Sequence, residues 1–285
     1  MSKLKIGIQK SGKLFNGSID LLNRADIKFD QTKNQLIHLS KNFPLEIYFL
    51  RNSDIPRYVE DGVLDIAIIG NNQLLESGSD IKITEKLGFS KCRLSIAIPK
   101  EKLFSDIGFF ENKLIATSYP KSTKFFFNDL NISVRIHKIS GSVEIAPNIG
   151  LADGICDLVS TGSTLENNGL KEVALVLESE AVLIESARVT DEKQSILNEL
   201  LFRIRSITRA VNKKYILFNI LNKNVDDIIL LLPVLKSPTI LKLKRPGWSS
   251  VHAVIDKEKF WQIVSKIKEK GAQDILVMPI ENIIS

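Results

Sequence analysis

The stretch Glu144-Ile-Ala-Pro-Asn-Ile-Gly150-Leu-Ala-Asp153-Gly-Ile-Cys-Asp157-Leu-Val-Ser160-Thr-Gly-Ser-Thr164-Leu-Glu166-Asn-Asn-Gly169-Leu170 decides how the chain is read. Ile155 to Val159 is a short apolar run interrupted by one carboxylate, and it stops at a hydroxyl-rich turn, the pattern of a buried strand. Ser163 and Glu166 have the spacing of a capping box, and Gly169 suits the residue after a helix end, so a short helix is predicted between them. Such a turn suits phosphate. Unpaired N–H groups at a helix start point outward, Gly162 permits close approach, and Thr161, Ser163 and Thr164 add hydroxyl donors. By itself such a turn more often serves as a Ser/Thr-rich connector capping a helix. Asp157, at the strand's carboxyl end, cannot help a phosphate but suits sugar hydroxyls or a magnesium ion carried by a substrate.

The wider pattern narrows these options. From Glu144 to Leu165 the residues follow Glu-x5-Gly-x-Ala-x2-Ile-x-Asp-Leu-x2-Thr-Gly-x-Thr-Leu. This resembles the signature of the ATP phosphoribosyltransferases, which open histidine biosynthesis. The resemblance extends to Ile8-Gln-Lys-Ser-Gly-Lys13, Asp54-Ile-Pro56, Asp61-Gly-x-x-Asp65 with Ile68-Ile-Gly70, Cys92-Arg-Leu-Ser95, Ala116-Thr-Ser-Tyr-Pro120 and Ser237-Pro-Thr-Ile240. It is closest to the long form of the family, which carries its own regulatory domain.

Around this motif the pattern predicts two α/β lobes. Leu4 to Gln9 alternates as a strand, Lys10-Ser11-Gly12-Lys13 forms a charged turn, and Leu14, Ile19, Leu21 and Leu22 open a helix. Glu46–Leu50 is a strand, Asp54 with Pro56 starts a helix ending near Gly62, and residues 65–70 form a buried strand before a helix over 71–77. Asp61-Gly-x-x-Asp65-Ile-x-x-x-Gly70 superimposes on Asp153-Gly-x-x-Asp157-Leu-x-x-x-Gly162 at a shift of 92 residues, so the lobes are read as similar. Cys92 to Ile98 crosses into the second lobe. Ile115 to Tyr119 ends another strand, Phe125 to Phe127 read as helix core, and Val173 to Ile184 read as paired strands returning to the first lobe. A long helix follows, with Ile196, Leu200, Leu201, Ile204 and Ile207 as its buried stripe.

From Tyr215 the order becomes strand (216–220), helix (225–235), strand (240–244), strand (251–255), helix (257–270) and strand (274–279), a β-α-β-β-α-β ferredoxin-like unit. The expected fold is therefore α/β, with two periplasmic-binding-protein-like lobes around a cleft and a C-terminal ferredoxin-like regulatory domain. The expected boundaries are 1–91 with 185–212 for the first lobe, 92–184 for the second, and 213–285 for the tail.

Composition excludes several other classes. The chain has 285 residues, 44% of them hydrophobic, enough to fill the cores of two or three domains. Two separated cysteines and three dispersed histidines give neither a disulfide framework nor metal-ligand spacing. The net charge of +6 is spread without an aromatic-interleaved basic stripe, which argues against a nucleic-acid partner and suits polyanionic small substrates. No segment approaches the ~18 apolar residues of a membrane span, and the start lacks an apolar leader core. A soluble cytoplasmic protein with no membrane partner is expected.

The family resemblance implies the chemistry. N1 of ATP attacks C1 of 5-phosphoribosyl 1-pyrophosphate, giving N1-phosphoribosyl-ATP and pyrophosphate, with Mg2+ bound through substrate phosphates and Asp157 as its candidate protein ligand. It assigns the 5′-phosphate to Ser160, Thr161, Gly162, Ser163, Thr164 and Leu165, and the ribose hydroxyls or magnesium to Asp157, with Glu144 as a second carboxylate near the sugar. Lys10, Ser11, Gly12, Lys13, Gly70 and Arg93 are expected near ATP and phosphate groups, and Tyr119 near adenine. Lys13 stands where many members carry arginine, offering a point charge in place of a fork. Histidine inhibition is implied at a contact between neighbouring regulatory domains, through Asp226, Leu235, Ser237, Thr239 and Ala272, in a homo-oligomer (dimer or hexamer). The alternative from another class is a non-catalytic two-lobe small-molecule-binding or histidine-sensing protein.

Overall fold

A computed structural model describes residues 2–32, 35–232 and 237–284. The chain forms two compact units, residues 1–197 and 198–285.

In the first unit, β1 (Leu4–Gln9) leads into α1 (Lys13–Arg24), followed by β2 (Ile37–Leu39), β3 (Leu45–Leu50), α2 (Ile55–Glu60), β4 (Ile66–Gly70), α3 (Asn71–Ser77) and β5 (Lys82–Lys86). The second lobe contains β6 (Cys92–Pro99), β7 (Leu114–Thr117), α4 (Pro120–Asp129), β8 (Arg135–Lys138), β9 (Gly154–Val159), α5 (Ser163–Asn167) and β10 (Leu170–Ser179), and β11 (Ala181–Glu185) returns to the first. The first sheet has the order β2-β3-β1-β4-β11-β5 and the second β10-β6-β9-β7-β8. In the first, β1 lies parallel between β3 and β4; in the second, β7 lies parallel between β8 and β9. Each lobe adds an antiparallel strand supplied from the other lobe's side of the chain, β11 beside β4 and β6 beside β9. This is the periplasmic-binding-protein arrangement, and it sets the turns after β1, β4, β7 and β9 at the carboxyl ends of their strands, where open α/β sheets take ligands.

The sequence repeat proves out of register. Asp65 accepts the N–H of Lys5 on its carboxylate at 2.7 Å, and its own N–H goes to the Lys5 carbonyl at 3.1 Å. Asp153 does the same with Leu114, at 2.9 and 2.8 Å. The structural partner of Asp65 is thus Asp153, not Asp157: both clamp the first residues of the neighbouring strand. Asp157 sits further along, within β9.

Three further expectations are corrected. β10 and β11 are consecutive but lie in different sheets, so they are not paired with each other. Of the three phenylalanines in α4, Phe127 is fully buried and Phe126 packs against the core, whereas Phe125 is 75% exposed. Successive helix residues turn too far for all three to face one side. In α6 (Asp191–Val211) the stripe runs through Leu197, Leu200, Leu201, Ile204 and Ile207, and Ile196 stays half-buried beside it.

The second unit contains β12 (Lys213–Leu221), α7 (Val225–Ile229), β13 (Thr239–Lys242), β14 (Trp248–Asp256), α8 (Phe260–Glu269) and β15 (Gln273–Pro279). Its sheet is antiparallel throughout, with the order β13-β14-β12-β15, that of a ferredoxin-like unit. Ile228 of α7 and Phe260, Ile263 and Ile267 of α8 pack with Ile216, Phe218 and Val251 of the strands, so both helices cover one face. The elements follow the predicted order, but α7 ends at Ile229, six residues short of the expected limit, β14 starts three residues early at Trp248 and α8 three residues late at Phe260.

Candidate active site

The hydroxyl-rich turn follows β9 directly. Gly162 has φ +91°, a backbone conformation that side chains with a Cβ rarely adopt, and α5 starts at Ser163. The capping box does not form. Gly162 is the cap residue and has no side chain to cap with; the Thr161 hydroxyl accepts the Ser163 N–H at 3.5 Å, and the Ser163 hydroxyl meets that of Thr161 at 3.0 Å. Thr161, Ser163 and Thr164 are exposed, while Leu165 is buried and anchors the short helix in the core behind the turn.

The turn after β1 approaches it from the first lobe. Lys10, Ser11, Gly12 and Lys13 are all exposed, and the Lys13 ammonium donates to the Ser160 hydroxyl at 3.4 Å. Lys13, Gly70, Asn72, Lys91 and Cys92 line a cavity of about 220 Å³ with Ser160. The amide oxygen of Asn52 also lies in this wall, buried and unpaired among the described residues. A second cavity of about 420 Å³ holds Lys86, Lys91, Arg93, Ser160 and Glu178. Gly70 caps α3 from an extended conformation, and Asn72 exchanges two hydrogen bonds of 2.9 Å with the Ser179 hydroxyl, where the chain leaves the second lobe.

On the face of the second sheet, Asp157 lies across from Ser95 in the β6–β9 register. Burial lifts the Asp157 carboxyl above its ordinary value, the N–H of Leu158 opposes this at 2.8 Å, and the negative charge of Glu144 adds to the rise. Glu144 is half-buried in a single 3-10 turn (Val143–Ile145). Tyr119 is half-buried against the phenylalanine core, and burial pushes its phenol well above the ordinary range, with Asp157 adding to the shift. Arg93 is not a free cation. Its Nε and Nη2 donate to Glu172 at 2.7 and 2.6 Å, leaving Nη1 on the Ser160 carbonyl at 3.4 Å. Ser95 donates to the same Glu172 at 2.8 Å. These bonds, Arg93 foremost, hold the Glu172 carboxyl below its ordinary value.

Among the described residues, no group of three or more His, Cys, Asp or Glu side chains could hold a metal by itself. Asp157 and Glu144 supply two carboxylates whose mutual repulsion a cation would relieve, a donor set suited to a magnesium ion that shares substrate oxygens.

With this cleft, a family model for ATP phosphoribosyltransferase (HisG) matches residues 51–206, and one for the HisG C-terminal domain matches residues 210–282. The chain belongs to the ATP phosphoribosyltransferase family. It is 50% identical over 281 residues to the ATP phosphoribosyltransferase of Phocaeicola vulgatus, covering 99% of each chain. It is 48% identical to that of Bacteroides thetaiotaomicron, with the same coverage. Among solved structures, it resembles the ATP phosphoribosyl transferase (HisG:HisZ) complex from Thermotoga maritima at 28% identity and a TM-score of 0.61, over 70% of this chain and 98% of that one.

The family's second domain corresponds here to the ferredoxin-like unit, where the five expected positions separate. Thr239 is exposed on β13 and Ser237 is exposed just before it, while Ala272 is buried just before β15, at the opposite edge of the sheet. Asp226 is exposed in the first turn of α7, and Leu235 lies outside the described residues. The sequence reading also missed Glu172, Glu76, Asn72 and Ser179. Glu172 sits on a strand of mixed polarity, and nothing local marks it as the partner of a residue 79 positions away.

Proposed function

We propose that the chain transfers the phosphoribosyl group of 5-phosphoribosyl 1-pyrophosphate to N1 of ATP with release of pyrophosphate, the first step of L-histidine biosynthesis. Support comes above all from the convergence on Ser160, the first residue of the hydroxyl turn, of Lys13 from the first lobe and Arg93 from the second. The 5′-phosphate sits on the exposed hydroxyls and N–H groups of Thr161 to Thr164, with Gly162 keeping the turn free of a side chain. Asp157 holds the ribose hydroxyls, with Glu144 beside it. Lys10 and Lys13 bind pyrophosphate or ATP phosphate oxygens as point charges, with Ser11, Gly12 and Gly70 forming the wall beside them. Arg93 acts through the turn it braces. Tyr119 packs against adenine.

The displacement passes through oxocarbenium character at C1, so the protein's share is to orient two anions and to stabilise the departing pyrophosphate. Asp157, with Glu144 beside it, would hold a magnesium ion shared with substrate oxygens, which would add charge neutralisation for the departing pyrophosphate. N1 of adenine is a neutral lone pair at pH 7, and no side chain need remove a proton from it.

Residues 1–91 with 181–212 are assigned to the first catalytic lobe, because β11 pairs within the first sheet rather than starting the return at 185, with 92–180 assigned to the second lobe and 213–285 to a regulatory domain. Histidine inhibits by binding between regulatory domains of neighbouring copies in a cytoplasmic homo-oligomer, a dimer or hexamer. The opposite-edge placement of Thr239 and Ala272 supports a site completed by a second copy. No helix among the described residues is long and apolar enough to cross a membrane. The test is the near-ultraviolet absorbance of N1-alkylated adenine, followed with ATP, 5-phosphoribosyl 1-pyrophosphate, magnesium and pyrophosphatase. A rise that histidine suppresses is expected. No rise in folded protein that still binds nucleotide would make it a binding or sensing protein.

A further inference from the structure

Glu76 lies near the end of α3 in the first lobe, but its carboxylate is spent on the second. One oxygen accepts the N–H of Lys121 at 2.9 Å, and the other accepts the N–H and the hydroxyl of Ser122 at 2.9 and 2.8 Å. The Lys121 ammonium returns to the carbonyl of Ser77 at 2.6 Å. α4 begins at Pro120, which has no N–H, so Lys121 and Ser122 carry its first two free donors. Its own cap residue, Tyr119, offers no side-chain cap. The helix start is therefore capped by an anion from the opposite lobe, an arrangement that its dipole favours.

Tyr119 is tied to that same first turn. Its N–H donates to the Thr117 hydroxyl at 2.8 Å, and its carbonyl accepts the N–H and the hydroxyl of Thr123 at 3.0 and 2.7 Å. Its backbone cannot shift without α4, and α4 cannot shift without breaking its bonds to Glu76. We propose that Glu76 is a positioning residue for ATP: it latches α3 to α4 and so fixes the backbone that carries Tyr119. This rests on the assignment of Tyr119 to adenine made above. A latch of this kind acts on ground-state binding of one substrate and leaves the reacting atoms untouched.

Steady-state kinetics on the full-length protein test it. Glu76→Gln replaces an oxygen acceptor by an amide donor facing the Ser122 N–H. It is expected to raise KM for ATP at least about fivefold while kcat and KM for 5-phosphoribosyl 1-pyrophosphate stay within about twofold. Ser122→Ala removes one of the three bonds to Glu76 and leaves the helix intact, so it should raise KM for ATP by a smaller factor. The double variant should go no further than Glu76→Gln alone. A fall in melting temperature with KM for ATP unchanged would reduce Glu76 to a structural cap and overturn the proposal. Should Glu76→Gln fail to fold, an unchanged KM for ATP in Ser122→Ala overturns it as well. Tyr119→Leu separates the two levels. If it raises KM for ATP while both latch variants do not, the latch is wrong and the adenine assignment stands; if it leaves KM for ATP unchanged, both fall.

Discussion

Arg93 and Glu172 meet edge to edge across β6 and β10, with Nε–Oε1 at 2.7 Å and Nη2–Oε2 at 2.6 Å, and the remaining Nη1 steadies the Ser160 carbonyl. Such a fork cannot be reproduced by an ammonium. Arg93→Lys should therefore raise KM for 5-phosphoribosyl 1-pyrophosphate about fivefold, roughly 1 kcal/mol once discounted for the partial exposure of the pair. Glu172→Gln should act in the same direction. Because Arg93 lowers the Glu172 carboxyl, the pair's contribution to stability is present above the unfolded glutamate value and is lost as pH falls through the lowered folded one. The melting-temperature gap between wild type and Glu172→Gln should follow that course.

Asp157 behaves in the opposite way. Its carboxyl is raised in the folded state, chiefly by burial, so ionising it costs stability. That cost is absent below the unfolded aspartate value and complete above the raised folded one. Asp157→Asn should thus be more resistant to urea than wild type at neutral pH, with the difference closing as pH is lowered through that interval. It should at the same time turn over at least about tenfold more slowly, roughly 1.4 kcal/mol. An unchanged kcat would remove Asp157 from the site.

Two glycines separate backbone strain from crowding. At Gly162, φ is +91° and nothing lies within 4 Å of an added Cβ, so Gly162→Ala should cost about 1–2 kcal/mol through the backbone alone. It should weaken binding of 5-phosphoribosyl 1-pyrophosphate as the turn rearranges. At Gly70 the backbone tolerates alanine, but the Cβ would stand 2.4 Å from the Asn72 amide oxygen that Ser179 holds. Gly70→Ala should cost about 1–3 kcal/mol in wild type and much less in an Asn72→Ala background, as read by denaturant titration.

Phe127→Ala should destabilise by about 3–5 kcal/mol, since the ring is fully buried among other phenylalanines. Phe125→Ser, two residues earlier on the other side of the helix and 75% exposed, should change stability by no more than about 0.5 kcal/mol. Denaturant titration of both variants checks the orientation of α4.

Much of the fold was legible because its signals are local. Alternation marked β1 and β12, the run after Asp65 marked β4, and glycines with positive φ at 62, 162 and 169 marked the ends of elements. The hydroxyl turn could be read for the same reason: its backbone shape depends on Gly162 and its chemistry on its immediate neighbours. Where two local solutions competed, the reading failed. Ser163 could have capped α5 or bonded Thr161, and only the observed backbone selects the second.

The amino-acid sequence alone determined the order of elements, the two α/β lobes with a ferredoxin-like tail, and the turns that face the cleft, because periodicity, glycine and proline act over a few residues. Tertiary structure decided the partnerships. Glu172 holds Arg93 from 79 residues away, Glu76 caps a helix 45 and 46 residues downstream, and Asp153 rather than Asp157 repeats the role of Asp65. A carboxylate's partner depends on which backbone N–H or cation the packed sheets bring within about 3 Å, a distance that no spacing along the chain encodes.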